Sequence, residues 1–273
     1  MSQREDTEIL YSQDYVSQEL GACESAVVKY DKLIASNPDD YKAWSCRGYA
    51  LESSGHYEEA AKSFDRALAI HSKYALAFHG KGIALAKLTR YEEALTSFNQ
   101  ALKLQPDDYR AWQNHGKALI SLGRYKEAIA SFDRVLELKS DSYKAWYNRA
   151  VGLTCLHRFQ EALTSLENTL LIKPTCHYAW NYRGMVLAKM DRFEEALRSF
   201  DKSLKVKSRN ANAWYGRACC YALEGNADRA IENLKQAIHF SPYLCRVMAN
   251  TDAHFNRIRS DHRLQALLDE NSF

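Results

Sequence analysis

Basic, tyrosine and asparagine side chains cluster at several points of this chain, as at Lys144, Tyr147 and Asn148. An asparagine amide can donate to and accept from one peptide unit at once, so it holds a backbone irrespective of sequence. Tyrosine adds a large contact area at small entropic cost. Cationic side chains favour acidic partners and speed their encounter. These residue types indicate a surface suited to an extended or helical peptide that bears acids.

No motif in the sequence indicates an active site, a cofactor or a metal centre. Gly80 and Gly82 flank a lysine in a helical pattern, which lacks the strand–loop–helix context of a phosphate-binding loop. His254 and His262 have no cysteine at a zinc-ligand spacing. A Cys–His nucleophile at residues 155 and 157 is conceivable, but the repeat pattern explains both positions. We therefore predict no enzymatic activity, no cofactor and no bound metal.

The segment from Tyr143 to Pro174 shows the unit that must position these side chains. Its apolar residues recur at three- and four-residue spacing, which predicts two amphipathic helices joined by a short turn. The first stripe contains Trp146 and Leu153. The second contains Phe159, Ala162, Leu163, Leu166 and Leu170. Two helices alone cannot bury both stripes, so neighbouring copies of the unit are required.

The same unit recurs every 34 residues. An aromatic residue stands at Trp44, Phe78, Trp112, Trp146, Trp180 and Trp214. A small residue follows at Gly48, Gly82, Gly116, Ala150, Gly184 and Ala218. The second helix has alanine at Ala60, Ala94, Ala128, Ala162, Ala196 and Ala230, and a large residue at Phe64, Phe98, Phe132, Leu166, Phe200 and Leu234. All four prolines, Pro38, Pro106, Pro174 and Pro242, fall where a second helix ends. Small residues beside large ones predict closely packed helices.

This pattern resembles the tetratricopeptide repeat family, of bacterial type, over residues 41–244. The resemblance implies an all-α fold, a right-handed superhelical solenoid of helix-turn-helix repeats. Six full repeats are expected, at 41–74, 75–108, 109–142, 143–176, 177–210 and 211–244. Residues 1–40 are predicted to form a polar N-terminus and a degenerate capping repeat, because Leu10 and Asp14 stand where the aromatic and small residues belong.

Residues 245–273 are expected to cap the last repeat, and the run from Asp252 to Leu268 resembles the closing segment of many bacterial proteins of this family. Short helices are predicted at 243–249 and 261–269, the second with Asp261 as its N-terminal cap and Leu264, Leu267 and Leu268 on one side. Two roles remain open for the segment. It is either a lid over the exposed face of the last repeat or a self-bound mimic of a ligand.

Composition and charge favour a cytoplasmic protein with a basic repeat region. The net charge of +3 is uneven, with about −6 in residues 1–40 and about +9 in residues 41–244. The seven cysteines are odd in number and show no paired Cys-x-x-Cys spacing, which indicates a reducing compartment. The sequence shows no signal segment and no apolar run as long as a membrane span.

The resemblance also implies where a partner binds, because first helices line the concave face of such arrays. Carried onto this chain, the predicted groove contains Lys42, Tyr49, His79, Lys87, Arg110, Asn114, Lys117, Lys144, Tyr147, Asn148, Tyr178, Asn181, Tyr182, Lys189 and Tyr215. This lining is basic, with tyrosines toward its C-terminal half. The family's clamp for the C-terminal carboxylate of heat-shock chaperones is not expected, since it needs Lys and Asn where Ser45 and Tyr49 stand.

We therefore predict a protein-binding scaffold or adaptor whose groove takes an acidic segment or helix of a partner protein. The alternative is RNA or single-stranded nucleic acid, held by the same basic residues with tyrosine stacking. A recurring cationic position, at Arg47, Lys81, His115, Arg149, Arg183 and Arg217, has two interpretations, structural pairing between helices or a ladder that reads phosphates. Acidic or polar residues recur on the second helices with the same period, which favours structural pairing over a phosphate-reading ladder.

Overall fold

The computed structural model describes residues 20–269, with side chains from residue 24 onward. The chain forms two compact units, one ending at Ser140 and one beginning at Asp141. The predicted mismatches of the N-terminal cap, Leu10 and Asp14, lie outside the described residues. Between residues 20 and 269 every regular element is a helix, which confirms the predicted all-α class.

The helices follow one another as hairpins. In unit 1 they are α1 (Leu20–Ser36), α2 (Tyr41–Ser53), α3 (Tyr57–Ile70), α4 (Ala75–Lys87), α5 (Tyr91–Leu104), α6 (Tyr109–Ser121) and α7 (Tyr125–Leu138). In unit 2 they are α8 (Tyr143–Cys155), α9 (Phe159–Ile172), α10 (His177–Ala188), α11 (Phe193–Val206), α12 (Ala211–Leu223), α13 (Ala227–Phe240), α14 (Pro242–Thr251), a 3-10 helix (Ala253–Ile258) and α15 (His262–Asp269). The first helices of the hairpins are α2, α4 and α6 in unit 1 and α8, α10 and α12 in unit 2.

Local sequence explains where these helices begin. The carboxylate of Asp40 accepts hydrogen bonds from the backbone N–H groups of Lys42 and Ala43, and Asp108 caps α6 in the same way. The Ser142 hydroxyl accepts from the N–H of residue 145 and caps α8. Each cap satisfies donors that the first turn of a helix leaves unpaired. Four of the second helices begin differently, with Arg pairing with a Glu three residues later at 90/93, 124/127, 158/161 and 192/195, whereas the Asn226 side chain caps α13.

The turn inside each hairpin requires one residue with positive φ. Glycine supplies it at residues 55, 123 and 225, whose φ lies between 73° and 84°. Thr89, His157 and Asp191 occupy the same place in the other repeats, with φ of 61°, 58° and 57°. Side chains rarely adopt this conformation, least of all β-branched ones. The turns therefore have a common geometry, which strains Thr89 most because its side chain is β-branched.

The buried interior follows the predicted register. The six repeated alanines are fully buried, at 0% exposure. The large residues beside them are at most 1% exposed. A side chain added at Gly116 would place its Cβ 2.7 Å from the Phe132 ring, and Gly48, Gly82 and Gly184 each face a phenylalanine in the same way. Alanine replaces this glycine in the two repeats where leucine replaces the phenylalanine, at Ala150 with Leu166 and Ala218 with Leu234. The volumes are thus matched repeat by repeat.

The recurring cationic position has a structural role. Four of its members pair with an acid sixteen residues earlier: Arg47 with Asp31 (2.6 Å), Lys81 with Asp65 (2.6 Å), Arg183 with Glu167 (3.5 Å) and Arg217 with Asp201 (3.1 Å). Hydrogen bonds also join it to buried serines of its own repeat, in the pairs 47/63, 115/131, 149/165 and 183/199. The structure thus confirms that recurring cations pair with acids inside the fold. The serines were not predicted, although they recur with the same period.

The C-terminal segment packs against the last hairpin. Helix α14 lies against α13, and the 3-10 helix lies against α12. Phe255 and Leu264 are fully buried, and Ile258 is nearly so. Asp261 accepts from the backbone N–H of Arg263 at 2.9 Å, which confirms it as the cap of α15. Within residues 20–269 no helix is long and apolar enough to cross a membrane.

Candidate functional site

The predicted groove residues all lie on first helices or directly after one. In unit 1, α2 contacts α4 and α4 contacts α6; in unit 2, α10 contacts α12. Consecutive first helices therefore form one layer within each unit. We call the predicted groove residues of a unit its first-helix face. Each unit therefore has a first-helix face of its own.

Exposed lysines give both faces their positive charge. Lys42, Lys87 and Lys117 are exposed in unit 1, and Lys144 and Lys189 are exposed in unit 2. Burial raises the pKa of the Glu52 carboxyl on α2, and the nearby Lys87 ammonium partly offsets this shift. An exposed ammonium group attracts an acidic partner at long range, although salt screens it. Charge at these positions can therefore select a partner without fixing its conformation.

Three tyrosines form an aromatic cluster on the first-helix face of unit 2. The ring of Tyr147 on α8 lies 4.8 Å from that of Tyr178 and 5.7 Å from that of Tyr182, both on α10. The rings meet edge to face, which is a favourable aromatic geometry. Burial raises the pKa of Tyr147 to about 12, and the neighbouring Tyr182 adds to the shift. The Tyr147 phenol therefore stays neutral near pH 7 and can donate a hydrogen bond.

A second repeating feature lies beneath this surface. The residue directly after the repeated aromatic is polar in all six repeats: Ser45, His79, Gln113, Tyr147, Asn181 and Tyr215. All of them except the half-buried Tyr147 are at most 9% exposed. Among the described residues, Ser45 Oγ, Gln113 Nε2 and Asn181 Oδ1 are buried without a hydrogen-bond partner. We call this row the polar ladder. An unpaired buried polar atom lowers the free energy of unfolding by roughly 1–3 kcal/mol. In a purely structural role, the unpaired atoms of the polar ladder would therefore only destabilise the fold.

Some predicted site residues are engaged inside the fold. The Tyr49 hydroxyl donates to the backbone carbonyl of Leu76 at 2.8 Å. Asn114 and His79 share a hydrogen bond of 3.0 Å between their side chains. The pKa of His79 is lowered to about 4, mainly by burial and in smaller part by Arg110, while Asp108 opposes the shift. His79 is therefore neutral near pH 7. It supports the face from beneath and adds no charge to it.

Arg110 and Tyr215 also have neighbours that the sequence analysis did not predict. The Arg110 guanidinium lies 5.5 Å from the centre of the Tyr109 ring. The Tyr215 hydroxyl donates to Asp252 at 2.8 Å, and its ring lies 5.9 Å from Phe255. The C-terminal segment thus covers the last position of the polar ladder. No pattern in the sequence predicts this contact, because Tyr215 and Asp252 are 37 residues apart.

Comparisons with known proteins agree with this architecture. Models of the tetratricopeptide repeat match residues 41–74, 79–143, 114–153 and 183–244. A model of the protein prenyltransferase alpha subunit repeat matches residues 23–54 and 159–190. No curated protein is significantly similar to the chain in sequence.

Solved structures show the same fold at low sequence identity. A tetratricopeptide repeat protein from Parabacteroides merdae is 20% identical with a TM-score of 0.66, over 89% of this chain and 97% of its own. YrrB, a tetratricopeptide repeat protein with an unusual peptide-binding site, is 24% identical with a TM-score of 0.59, over 67% of this chain and 95% of its own. PilF from Pseudomonas aeruginosa is 16% identical with a TM-score of 0.65, over 80% of this chain and 96% of its own.

Proposed function

Because this chain belongs to the tetratricopeptide repeat family, we propose that it is a protein-binding scaffold or adaptor without catalytic activity. Its first-helix faces bind an acidic peptide segment or helix of a partner protein. YrrB, which has the same fold, is a peptide-binding protein, and that precedent supports the general function. The choice of face and of an acidic partner rests on this chain's own residues.

The polar ladder is the observation that carries the proposal. Side chains of Ser45, Gln113 and Asn181 each hold a buried polar atom without a partner in the described structure. A peptide laid along first helices brings backbone N–H and C=O groups past these positions at regular intervals. Gln113 and Asn181 remain 9% and 8% exposed, so small side-chain rotations let their amides pair with the peptide backbone. Satisfying atoms that are otherwise unpaired adds to affinity without demanding a particular peptide sequence.

The tyrosine cluster and the lysines add specificity to this backbone contact. Tyr147, Tyr178 and Tyr182 present a rigid aromatic surface for an apolar side chain of the peptide. Lys144 and Lys189 are exposed on the same face and attract carboxylates. The preferred ligand of unit 2 is therefore an acidic segment that contains at least one large apolar residue.

Nucleic acid binding has weaker support. Part of its support was the recurring row of cations, and members of that row form internal ion pairs and hydrogen bonds, as Arg47 does with Asp31 and Ser63. A cation already held in such contacts is less available to a phosphate backbone. Nucleic acid binding is therefore retained as an outcome that the experiments below distinguish.

A peptide-library selection against the purified full chain tests the proposal. We expect enriched peptides to combine acidic residues with a large apolar residue. Lys144→Glu with Lys189→Glu should weaken their binding at least about tenfold, or 1.4 kcal/mol. Lys205→Glu with Lys235→Glu is the matched control, since it makes the same charge change on second helices of unit 2. Enrichment of basic peptides, or equal losses in both double variants, would contradict the proposal.

A further inference from the structure

Three metal-ligating side chains meet where the C-terminal segment covers the last repeat. Cys219 lies on α12, Asp252 caps the 3-10 helix, and His254 is in its first turn. The Cys219 sulfur is 3.7 Å from Asp252 Oδ2. His254 Nδ1 contacts the other carboxylate oxygen, Oδ1. The three ligand atoms lie within 4.8 Å of one another.

This donor set suits a divalent transition metal ion. Thiolate sulfur, imidazole nitrogen and carboxylate oxygen are the three ligand types that proteins use for zinc. Ligand atoms 2.0–2.3 Å from a tetrahedral zinc ion lie about 3.3–3.8 Å apart, so the cluster must contract by about 1 Å at its widest. The half-exposed His254 can move by this amount, and Cys219 is held on a buried helix face. Three protein ligands leave a fourth position for water.

The turn that carries two of the ligands is already held in place. Arg259 donates to the backbone carbonyls of Ala249 and Asp252, at 2.6 Å each. Asp252 Oδ1 accepts from the backbone N–H of His254 at 3.0 Å. Phe255 is fully buried directly after them. Ligands on a turn fixed by such contacts lose little freedom when they bind an ion, which favours binding.

We propose that Cys219, Asp252 and His254 form a binding site for a zinc-like divalent transition metal ion that joins the C-terminal segment to the first helix of the last repeat. The proposal departs from the prediction of no metal site, which used spacing along the chain. Asp252 follows Cys219 by 33 residues, a separation at which no linear motif is visible. The fold brings the ligands together.

Cobalt titration of the metal-free full chain under reducing conditions tests the site, because Co²⁺ takes the same ligands and reports on them optically. We expect one Co²⁺ per chain, a near-ultraviolet sulfur-to-cobalt band, and loss of that band when Zn²⁺ is added. Cys219→Ser should remove the band. His254→Ala should weaken binding more than about tenfold, since removing even an outer partner of a metal site costs 10–100-fold.

Two controls keep the result interpretable. Cys220→Ser changes the adjacent buried cysteine, which lies outside the cluster, and should leave the band and the affinity unchanged. His254 is half exposed, so its alanine variant is expected to fold, and circular dichroism verifies this. A band that survives Cys219→Ser, that disappears equally in Cys220→Ser, or that never saturates at one ion per chain would overturn the proposal.

Discussion

At the scale of single residues, the fold depends on matched volumes between the two helices of a hairpin. Gly116 faces Phe132, whereas Ala150 faces Leu166 in the next repeat. The sequence alone predicted a small residue beside a large one. It did not predict that glycine goes with phenylalanine and alanine with leucine, because that rule follows from the distance between Cβ and the ring.

A double-mutant cycle tests this matching. Gly116→Ala should destabilise the protein by about 1–3 kcal/mol, since its Cβ meets the Phe132 ring at 2.7 Å. Phe132→Leu should cost about 1–2 kcal/mol through lost contacts and a cavity. The double variant recreates the Ala–Leu pair of another repeat, so it should cost less than the sum by about 0.5–3 kcal/mol in urea unfolding. Strictly additive losses would show that the two positions do not share the same space.

The strained turn residues make a second prediction. Thr89→Gly should raise the free energy of unfolding by about 0.5–1 kcal/mol, because it relieves about 1–2 kcal/mol of left-handed strain at some cost in unfolded-state entropy. Asp191→Gly should raise the free energy of unfolding by less, since aspartate tolerates this conformation better than threonine does. Thermal and urea unfolding measure both changes. A destabilised Thr89→Gly variant would contradict the turn geometry.

Buried His79 predicts a pH dependence of stability. Its pKa is lowered from 6.5 to about 4 by burial, so below pH 6.5 the unfolded chain binds a proton that the folded chain does not. The contribution of neutral His79 to the free energy of unfolding is fully present above about pH 6.5. It is lost as the pH falls through 4, by about 3 kcal/mol in total. His79→Gln should flatten this part of the profile in urea unfolding at several pH values. If the free energy of unfolding of the variant depended on pH as in the wild type, His79 would be excluded as the source of that dependence.

At the scale of elements, the helices and the packing register were accessible from sequence, and the C-terminal segment was accessible only in part. Its two α-helices were predicted from apolar spacing and from Asp261. The 3-10 helix between them was missed, because six residues carry too little periodicity to identify a helix. Its docking on Tyr215 was also missed, since contacts between distant parts of the chain leave no local pattern.

The 3-10 helix should behave as a separable element. Phe255 is its fully buried residue, whereas Tyr243 on α14 is 83% exposed. Phe255→Ala should detach the segment from α12 and raise amide hydrogen exchange in residues 253–258, while α2 to α7 in unit 1 keep their protection. Tyr243→Ala serves as the control and should change nothing. Unaltered exchange in the Phe255 variant would show that other contacts hold the segment.

At the scale of the whole molecule, the repeats supply a surface, and the proposed function assigns its binding preference to individual residues. The sequence located the basic and aromatic positions of both first-helix faces. It could not show which of them the fold already uses, such as Tyr49 with Leu76 and Tyr215 with Asp252. Nor could it show that the polar ladder holds unpaired atoms. Both facts depend on contacts between neighbouring repeats.

Affinity purification from the native lysate, with and without nuclease, tests the central claim most directly. The wild type is compared with Lys144→Glu/Lys189→Glu on the first-helix face and with Lys205→Glu/Lys235→Glu on second helices. We predict that the wild type and the second-helix variant capture the same protein, that the first-helix variant loses it, and that nuclease has no effect. Capture that survives in the first-helix variant, or that nuclease abolishes, would contradict a protein-binding first-helix face.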